Sequence, residues 1–274
     1  MSAIGLVATL VLASAPHLVF MTGSGEWAQI TEEGKEVRRF RDFAGLPAID
    51  VAVSPDGARY AVASTLPNGK RALLLSEAFE AKPRIIEGPG PVLEHVAFSQ
   101  DGEWVYFSAN DPRGPRFNGQ PMPFAQVYRV QFSGEAIMRR LSSAAGCHMM
   151  PSEVGGGVIA FAHAACVIPG RSLDLLDSRT GKEREVMSIE DRIIEVSGHP
   201  AKRLAFLKAH LDGAELFWTD LRTLKPRSLG VFPSAAMRRR LQWSLDGRRI
   251  YLMIENAVRV VELDGSSTSL LELK

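Results

Sequence analysis

The sequence predicts an all-β fold: a six-bladed β-propeller of four-stranded antiparallel blades. Three observations carry this. A strand–turn–strand unit recurs at close to 47 residues, helical periodicity is nearly absent, and the composition is that of an ordinary globular chain. The chain has 274 residues, 46% of them hydrophobic and 23% charged, with a net charge of +1. That supplies a full core and excludes wholesale disorder. The near-neutral balance argues against a protein that grips nucleic acid through its overall field.

The repeat is clearest at Asp50–Ser64, Glu94–Ser108, Glu195–Leu207 and Leu241–Met253. Each unit is an apolar strand, a polar turn and a second apolar strand. The turn cores read Ser54-Pro55-Asp56-Gly57, Ser99-Gln100-Asp101-Gly102 and Ser244-Leu245-Asp246-Gly247. Asp bonds its local backbone, and Gly accepts the positive φ of a tight reversal. Ser54 and Ser99 are 45 residues apart, Ser99 and Ser197 98, and Ser197 and Ser244 47. The long gap holds a degenerate copy, with Ser152–Gly156 as its turn and Val158–Phe161 as its second strand. A further copy precedes the first. There Leu6–Leu12 is the innermost strand, Ala13–Pro16 the turn and Leu18–Met21 the second strand.

Third and outermost strands follow in each later copy. They are Arg71–Glu77 and Pro83–Ile86, Gln126–Phe132 and Ala136–Leu141, Ser172–Asp177 and Glu183–Met187, Glu215–Leu221 and Arg227–Leu229, then Ala257–Leu263 and Thr268–Leu273. Small sheets of this kind bury both faces only when arranged radially. The expectation is one domain with blades at about 1–43, 44–88, 89–143, 144–188, 189–233 and 234–274. Each copy starts innermost and ends outermost, so the ring closes by packing the first blade on the last without exchanging a strand.

The Ser-Pro-Asp-Gly turn followed by an aromatic or aliphatic strand resembles the WD40-like PD40 repeat of the six-bladed propellers related to TolB. The resemblance is sharp in three or four copies. The Trp-Asp ending of WD40 repeats is absent, as is an extra domain ahead of the propeller. What the resemblance implies is a fold; function has to be argued from a site.

Ile4–Ala15 is apolar and ends in Ala13-Ser14-Ala15, which looks like a cleavage box. No Lys or Arg precedes it, as a signal peptide requires, and it is too short to span a membrane. The strand reading is preferred, which leans towards a cytoplasmic location with the periplasm kept open. Cys147 and Cys166 are too few for a disulfide scaffold or a Cys zinc site. They are read either as one disulfide bracing a blade or as two buried thiols.

Candidate sites are expected at the mouth built by second-to-third loops and blade-to-blade crossings. The longest such loop, Asn110–Phe124, carries Arg113, Arg116, Phe117 and Phe124 among four prolines. Two readings stand: a loop folded over its own blade, or a rigid surface offering guanidinium forks and aromatic anchors to a peptide. Arg238, Arg239 and Arg240 enter the last innermost strand and map to the same mouth. They offer a seat for an anionic ligand or acidic peptide, or are salt-paired strand-edge residues.

His95, His148, His163 and His210 also map there. They form a candidate metal set with Asp111, Asp191 or Asp212 as oxygen donors, although no local ligand spacing supports it. His17 and His199 fall on the opposite face and are left out. A Cys147–His148 nucleophile lacks an orienting acid. Trp27, Trp104, Trp218 and Trp243 are read as packing between blades. No phosphate loop, dinucleotide fingerprint or Gly-x-Ser-x-Gly elbow occurs.

The function expected from this is a non-enzymatic binding propeller that recognises a protein or peptide at its mouth. It has no cofactor, no nucleic acid and no membrane span. The alternative is a metal-assisted hydrolase or lyase acting on a sugar acid, lactone or peptide.

Overall fold

The computed structural model describes residues 17–110, 116–117, 120–121, 124–142, 146–164, 172–189, 192–210, 213–233 and 237–273. Among these the chain is all strand and turn, with no helix. Short antiparallel sheets follow one another along the chain as six blades. Blade 1 is β1 (His17–Met21), β2 (Trp27–Thr31) and β3 (Glu36–Phe40). Blade 2 is β5 (Leu46–Val53), β6 (Tyr60–Thr65), β7 (Arg71–Ser76) and β8 (Arg84–Glu87), with a short lead-in strand β4 (Asp42–Phe43) paired to β5. Blade 3 is β9 (Leu93–Phe98), β10 (Trp104–Asn110), β13 (Ala125–Gln131) and β14 (Arg139–Arg140). A two-stranded hairpin, β11 (Arg116–Phe117) with β12 (Gln120–Pro121), lies within the β10–β13 connection.

Blade 4 is β15 (Cys147–Gly155), β16 (Val158–Ala164), β17 (Ser172–Asp177) and β18 (Glu183–Ser188). Blade 5 is β19 (Ile193–His199), β20 (Arg203–His210), β21 (Gly213–Asp220) and β22 (Arg227–Phe232). Blade 6 is β23 (Met237–Trp243), β24 (Arg249–Ile254), β25 (Ala257–Glu262) and β26 (Ser267–Glu272). All four strands of blade 6 come from one continuous stretch, so among the described residues it borrows no strand from blade 1.

Blade 1 shows the register of its repeat. Its β1–β2 turn meets the β24–β25 turn, where Gly23 N–H donates to Asn256 Oδ1 at 2.9 Å. Its β2–β3 turn carries Glu32, which accepts the Leu245 N–H of a β23–β24 turn at 2.8 Å. β1 is therefore a second strand, as Leu18–Met21 was expected to be, and β2 and β3 are third and outermost. The expected innermost strand, Leu6–Leu12, and its turn, Ala13–Pro16, lie outside the described residues.

The core sits between blades. Six buried clusters correspond to the six interfaces: Trp27 with Val62, Ala63 with Val105, Tyr106 with Ile159, Leu173 with Phe206, Leu207 with Leu252, and Phe20 with Tyr251 name one pair of cluster members from each. Each such buried side chain contributes about 1.5–3 kcal/mol, so stability is spread round the ring. Two tryptophans act as expected between blades. Trp27 Nε1 donates to Ala48 O at 2.9 Å, and Trp243 Nε1 to Ser197 O at 3.0 Å.

The Ser-x-Asp-Gly turns share one hydrogen-bond pattern. Ser99 Oγ donates to Asp101 Oδ1 at 2.5 Å and accepts the Trp104 N–H at 2.8 Å, while Asp101 accepts the Glu103 N–H at 2.9 Å. Ser54 with Asp56 and Ser244 with Asp246 repeat it. The Ser244 and Arg248 bonds hold the Asp246 carboxyl below the usual carboxylate range.

Blades 4 and 5 correct the sequence alignment. Ser152 and Ser197 lie inside β15 and β19, and the reversals fall later, at 155–157 and 200–202. The spacing of 47 between Ser197 and Ser244 thus joins positions that are not equivalent. Ser99→Ala should lower stability by about 1–3 kcal/mol, because it strips an acceptor from a buried turn N–H. Ser197→Ala should cost clearly less in the same urea denaturation series. Equal losses would return Ser197 to the turn class.

Candidate functional site

The five described innermost strands, β5, β9, β15, β19 and β23, carry the site, and each is broken at the same height. Register shifts occur between Ala48 and Asp50, opposite Tyr106 and Ser108 in β9, and between Met149 and Ser152, Ile193 and Glu195, and Arg238 and Leu241. These are β-bulges, which bend a strand and re-aim its side chains. His95, Met150 and Arg240 take positive φ there, at 56°, 60° and 148°. Such conformations cost about 1–3 kcal/mol each and persist only where the surroundings hold them.

The bulges turn polar groups into the central channel. Arg240 reaches out from blade 6. Its Nη2 bonds Asp50 Oδ1 of blade 2 and, at 3.3 Å, Val96 O of blade 3, and its guanidinium lies 5.5 Å from the Trp27 ring of blade 1. Asp50 is anchored in turn by the Val51 N–H at 3.0 Å and the Val96 N–H at 2.7 Å. One ion pair thus ties four blades and forms a crossbar.

From this crossbar a cavity of about 480 Å³ runs to the face built by the innermost-to-second turns. The tips Pro55, Gln100, Pro200 and Leu245 ring its mouth. Leu245 is 69% exposed. Just inside lie His17 and His199, the two histidines the sequence reading set aside. His199 Nε2 donates to Leu245 O at 3.1 Å while Nδ1 accepts the Ala201 N–H at 3.2 Å. Burial lowers its pKa from the ordinary value, so the ring is a neutral strut of the rim. The signal for this mouth was the turn motif itself, which the sequence reading treated as purely structural.

The predicted site residues are scattered. Arg113 lies outside the described residues. Arg116 and Phe117 form β11, Phe124 precedes β13 half-buried, and Arg238 and Arg239 lie in β23. Arg240 enters the channel, and there it is bonded to Asp50 and not held open for an anion. Cys147 starts β15 half-buried, whereas Cys166 lies outside the described residues, and so does their pairing.

The four histidines do not form one set. His95 lines the channel, His210 is exposed at the end of β20, and His148 and His163 face each other across β15 and β16. Among the described residues no group of three or more His, Cys, Asp or Glu is arranged to hold a metal ion. Asp111, Asp191 and Asp212 lie outside them.

The His148–His163 pair heads a polar cluster within blade 4. The rings are 4.8 Å apart; His163 Nδ1 lies 3.2 Å from Asp174 Oδ2, and Ser172 Oγ donates to Asp174 Oδ1 at 2.7 Å. Burial would raise the Asp174 carboxyl, but the bonds from His163 and Ser172 outweigh it and hold it low. His148 is fully buried, and burial depresses its imidazole well below the ordinary value, against the weaker pull of Glu183 at 3.9 Å.

No protein-family model matches the chain, and no curated protein matches it. Solved structures do. A structure described as TolB from Agrobacterium tumefaciens superposes with a TM-score of 0.66 at 14% identity, covering 91% of each chain. A nidogen/laminin complex gives 0.65 at 12% identity over 93% of this chain and 92% of that one. A puromycin-hydrolyzing peptidase of Mycobacterium tuberculosis gives 0.60 at 14% identity, where this chain spans 94% of its own length but 45% of the peptidase. Likeness at such identities establishes the propeller fold.

The His148 shift has a sign. A buried neutral imidazole whose folded pKa lies below its unfolded value of about 6.5 leaves the unfolded chain binding more protons. Its contribution is complete above about pH 6.5 and is lost progressively as pH falls, by up to about 1.4 kcal/mol per unit. The urea midpoint should therefore drop between pH 7 and pH 5, and His148→Phe should flatten that slope. An unchanged slope would show that His148 is not the group responsible.

Proposed function

We propose, for a chain whose fold is that of the TolB-like six-bladed propellers, a non-enzymatic binding role in which an extended segment of a protein partner enters the central channel. Entry is at the mouth ringed by Pro55, Pro200 and Leu245. The observation that carries this reading is the cavity itself. Its volume of about 480 Å³ falls within the range of ordinary ligand pockets. Rigid strands preform it, which keeps the ordering cost of binding low. An apolar rim meets polar groups deeper in, the usual division between anchoring and orienting contacts. The ion pair of Arg240 and Asp50 lies in the lining, so an entering segment meets a fixed polar group there.

A metal-assisted reaction gains no support from the way the histidines are placed. The partner class is therefore a protein or peptide, and the chemistry is recognition.

The test is selection of random extended peptides on the full-length protein, followed by binding measurements on variants. Leu245→Asp puts a charge on the apolar rim and should weaken selected peptides by about tenfold, with an unchanged circular dichroism spectrum. Arg116→Glu, on the β10–β13 connection, should leave them unaffected. Loss of binding in the Arg116 variant with retention in the Leu245 variant would move the site to that connection.

A further inference from the structure

We propose that an open cleft between blades 3 and 4, beside the channel mouth, is a second binding site and takes a carboxylate on the guanidinium of Arg129. The cleft has a volume of about 480 Å³ and is lined by Trp104, Tyr106, Arg129, Ser178 and Arg179 among others. Ser99, Gln100 and Glu153 line both the cleft and the channel, so the two cavities share one stretch of rim. Whether a segment enters the channel does not bear on this site.

Arg129 stands on β13 opposite Tyr106 of β10. Its guanidinium carbon lies 4.3 Å from the centre of the Trp104 ring. A ring so placed covers one face of the guanidinium and leaves its edge, the fork by which arginine binds a carboxylate through two N–H groups. That fork is unused. Arg129 Nε is buried and meets no acceptor, and among the described residues Arg129 makes no hydrogen bond or ion pair. Arg240, whose Nε is likewise unmet, has Asp50 on its Nη2; Arg129 has no such acid. A buried guanidinium donor without an acceptor is costly, and a bound carboxylate supplies that acceptor.

The surroundings suit an anion of single charge. Arg179 adds a second, exposed guanidinium, held by its bond to Gly156 O at 2.9 Å. The buried Tyr106 is bonded to Ser178, and burial pushes its hydroxyl up to about 12, so that side of the cleft carries no charge. Two acids, Asp101 and Glu153, also line the cleft. Each is already tied to other donors. Asp101 Oδ1 accepts the Ser99 hydroxyl at 2.5 Å and the Glu103 N–H at 2.9 Å. Glu153 accepts the Gln100 N–H at 3.0 Å and the Gly157 N–H at 2.9 Å. The attraction is therefore local, made by the fork at contact distance. The two fixed acids repel a dianion more strongly than a monoanion, which favours a carboxylate over a phosphate.

The experiment uses the full-length, isotope-labelled protein and follows the Arg129 Nε–H and Trp104 indole N–H resonances. The probes are acetyl-glutamate amide, acetyl-alanine with a free chain-end carboxylate, acetyl-glutamine amide and inorganic phosphate. At least one carboxylate probe should shift both resonances saturably, with a Kd on the order of 1 mM. The tighter of the two tells a side-chain source from a chain end, and the glutamine analogue should shift neither resonance. Arg129→Lys keeps the charge and loses the fork, so it should weaken binding by at least about fivefold, read from Trp104. Arg129→Met serves if the lysine variant fails to fold. Leu245→Asp, at the channel rim, should leave the affinity unchanged. No shift with either carboxylate, an equal shift with the glutamine analogue, tighter binding of phosphate, or full affinity without the arginine overturns the carboxylate site. Loss in the Leu245 variant overturns it too, by placing the probe in the channel. The channel reading stands or falls on the peptide selection and not on these titrations.

Discussion

A propeller is only as stable as its closure, because every blade needs two neighbours and the first and last are not joined by the chain. Here the joint is made by side chains. Gln242 of β23 places its carboxamide against the backbone of Val19, accepting the N–H at 3.2 Å and donating to the carbonyl at 2.8 Å. That is the pattern one peptide group makes to the next in a sheet, so the side chain bonds β1 as a neighbouring backbone would. Asn256 accepts the Gly23 N–H at one end of the joint. At the other, Glu32 takes the Leu245 N–H and lies 3.3 Å from Arg249. Between these clasps Phe20, Tyr251 and Ile30 are buried to nearly nothing. The apolar contact supplies the energy and the polar clasps fix the register, since an aromatic cluster alone would tolerate sliding.

The same closure positions the binding surface. Leu245, the most exposed apolar residue of the rim, has its N–H held by Glu32 and its carbonyl by His199. The rim is thus braced by both neighbouring blades. Its glycines serve the same end. Gly57 and Gly247 both have positive φ, and a Cβ on either would collide with the ring of His17 or His199. The turn glycine lets the chain reverse and leaves room for the previous blade to lean on it.

Much of the fold was legible in the sequence because three blades use identical chemistry at their turns. Asp and Gly recur there for reasons that depend on a few neighbouring residues, and a local cause leaves a local signature. Where the register was misjudged, the turn bond persists but the residue making it changes. In blade 4 the carboxylate of Glu153 accepts the Gly157 N–H, and in blade 5 His199 Nδ1 accepts the Ala201 N–H. Both satisfy a backbone donor, as Asp56 does for Ala58, yet neither resembles Ser-x-Asp-Gly in sequence. The site was less legible for a related reason. Arg240 meets Asp50 across 190 residues, and nothing in the run Arg238-Arg239-Arg240 announces that pairing.

The bulge of β23 explains how Arg240 is brought into the channel. In a regular strand neighbouring side chains alternate between faces, and the register shift between Arg238 and Leu241 breaks that alternation. Arg240 is delivered to the channel in a backbone conformation that L-residues avoid. The conformation is tolerable because the guanidinium lands on Asp50, whose own oxygens are already held by two backbone N–H groups. Remove the carboxylate and the bulge keeps its strain without its partner; remove the arginine and Asp50 loses its guanidinium. The crossbar is thus a stability device that offsets the strain of one strand by joining it to three other blades.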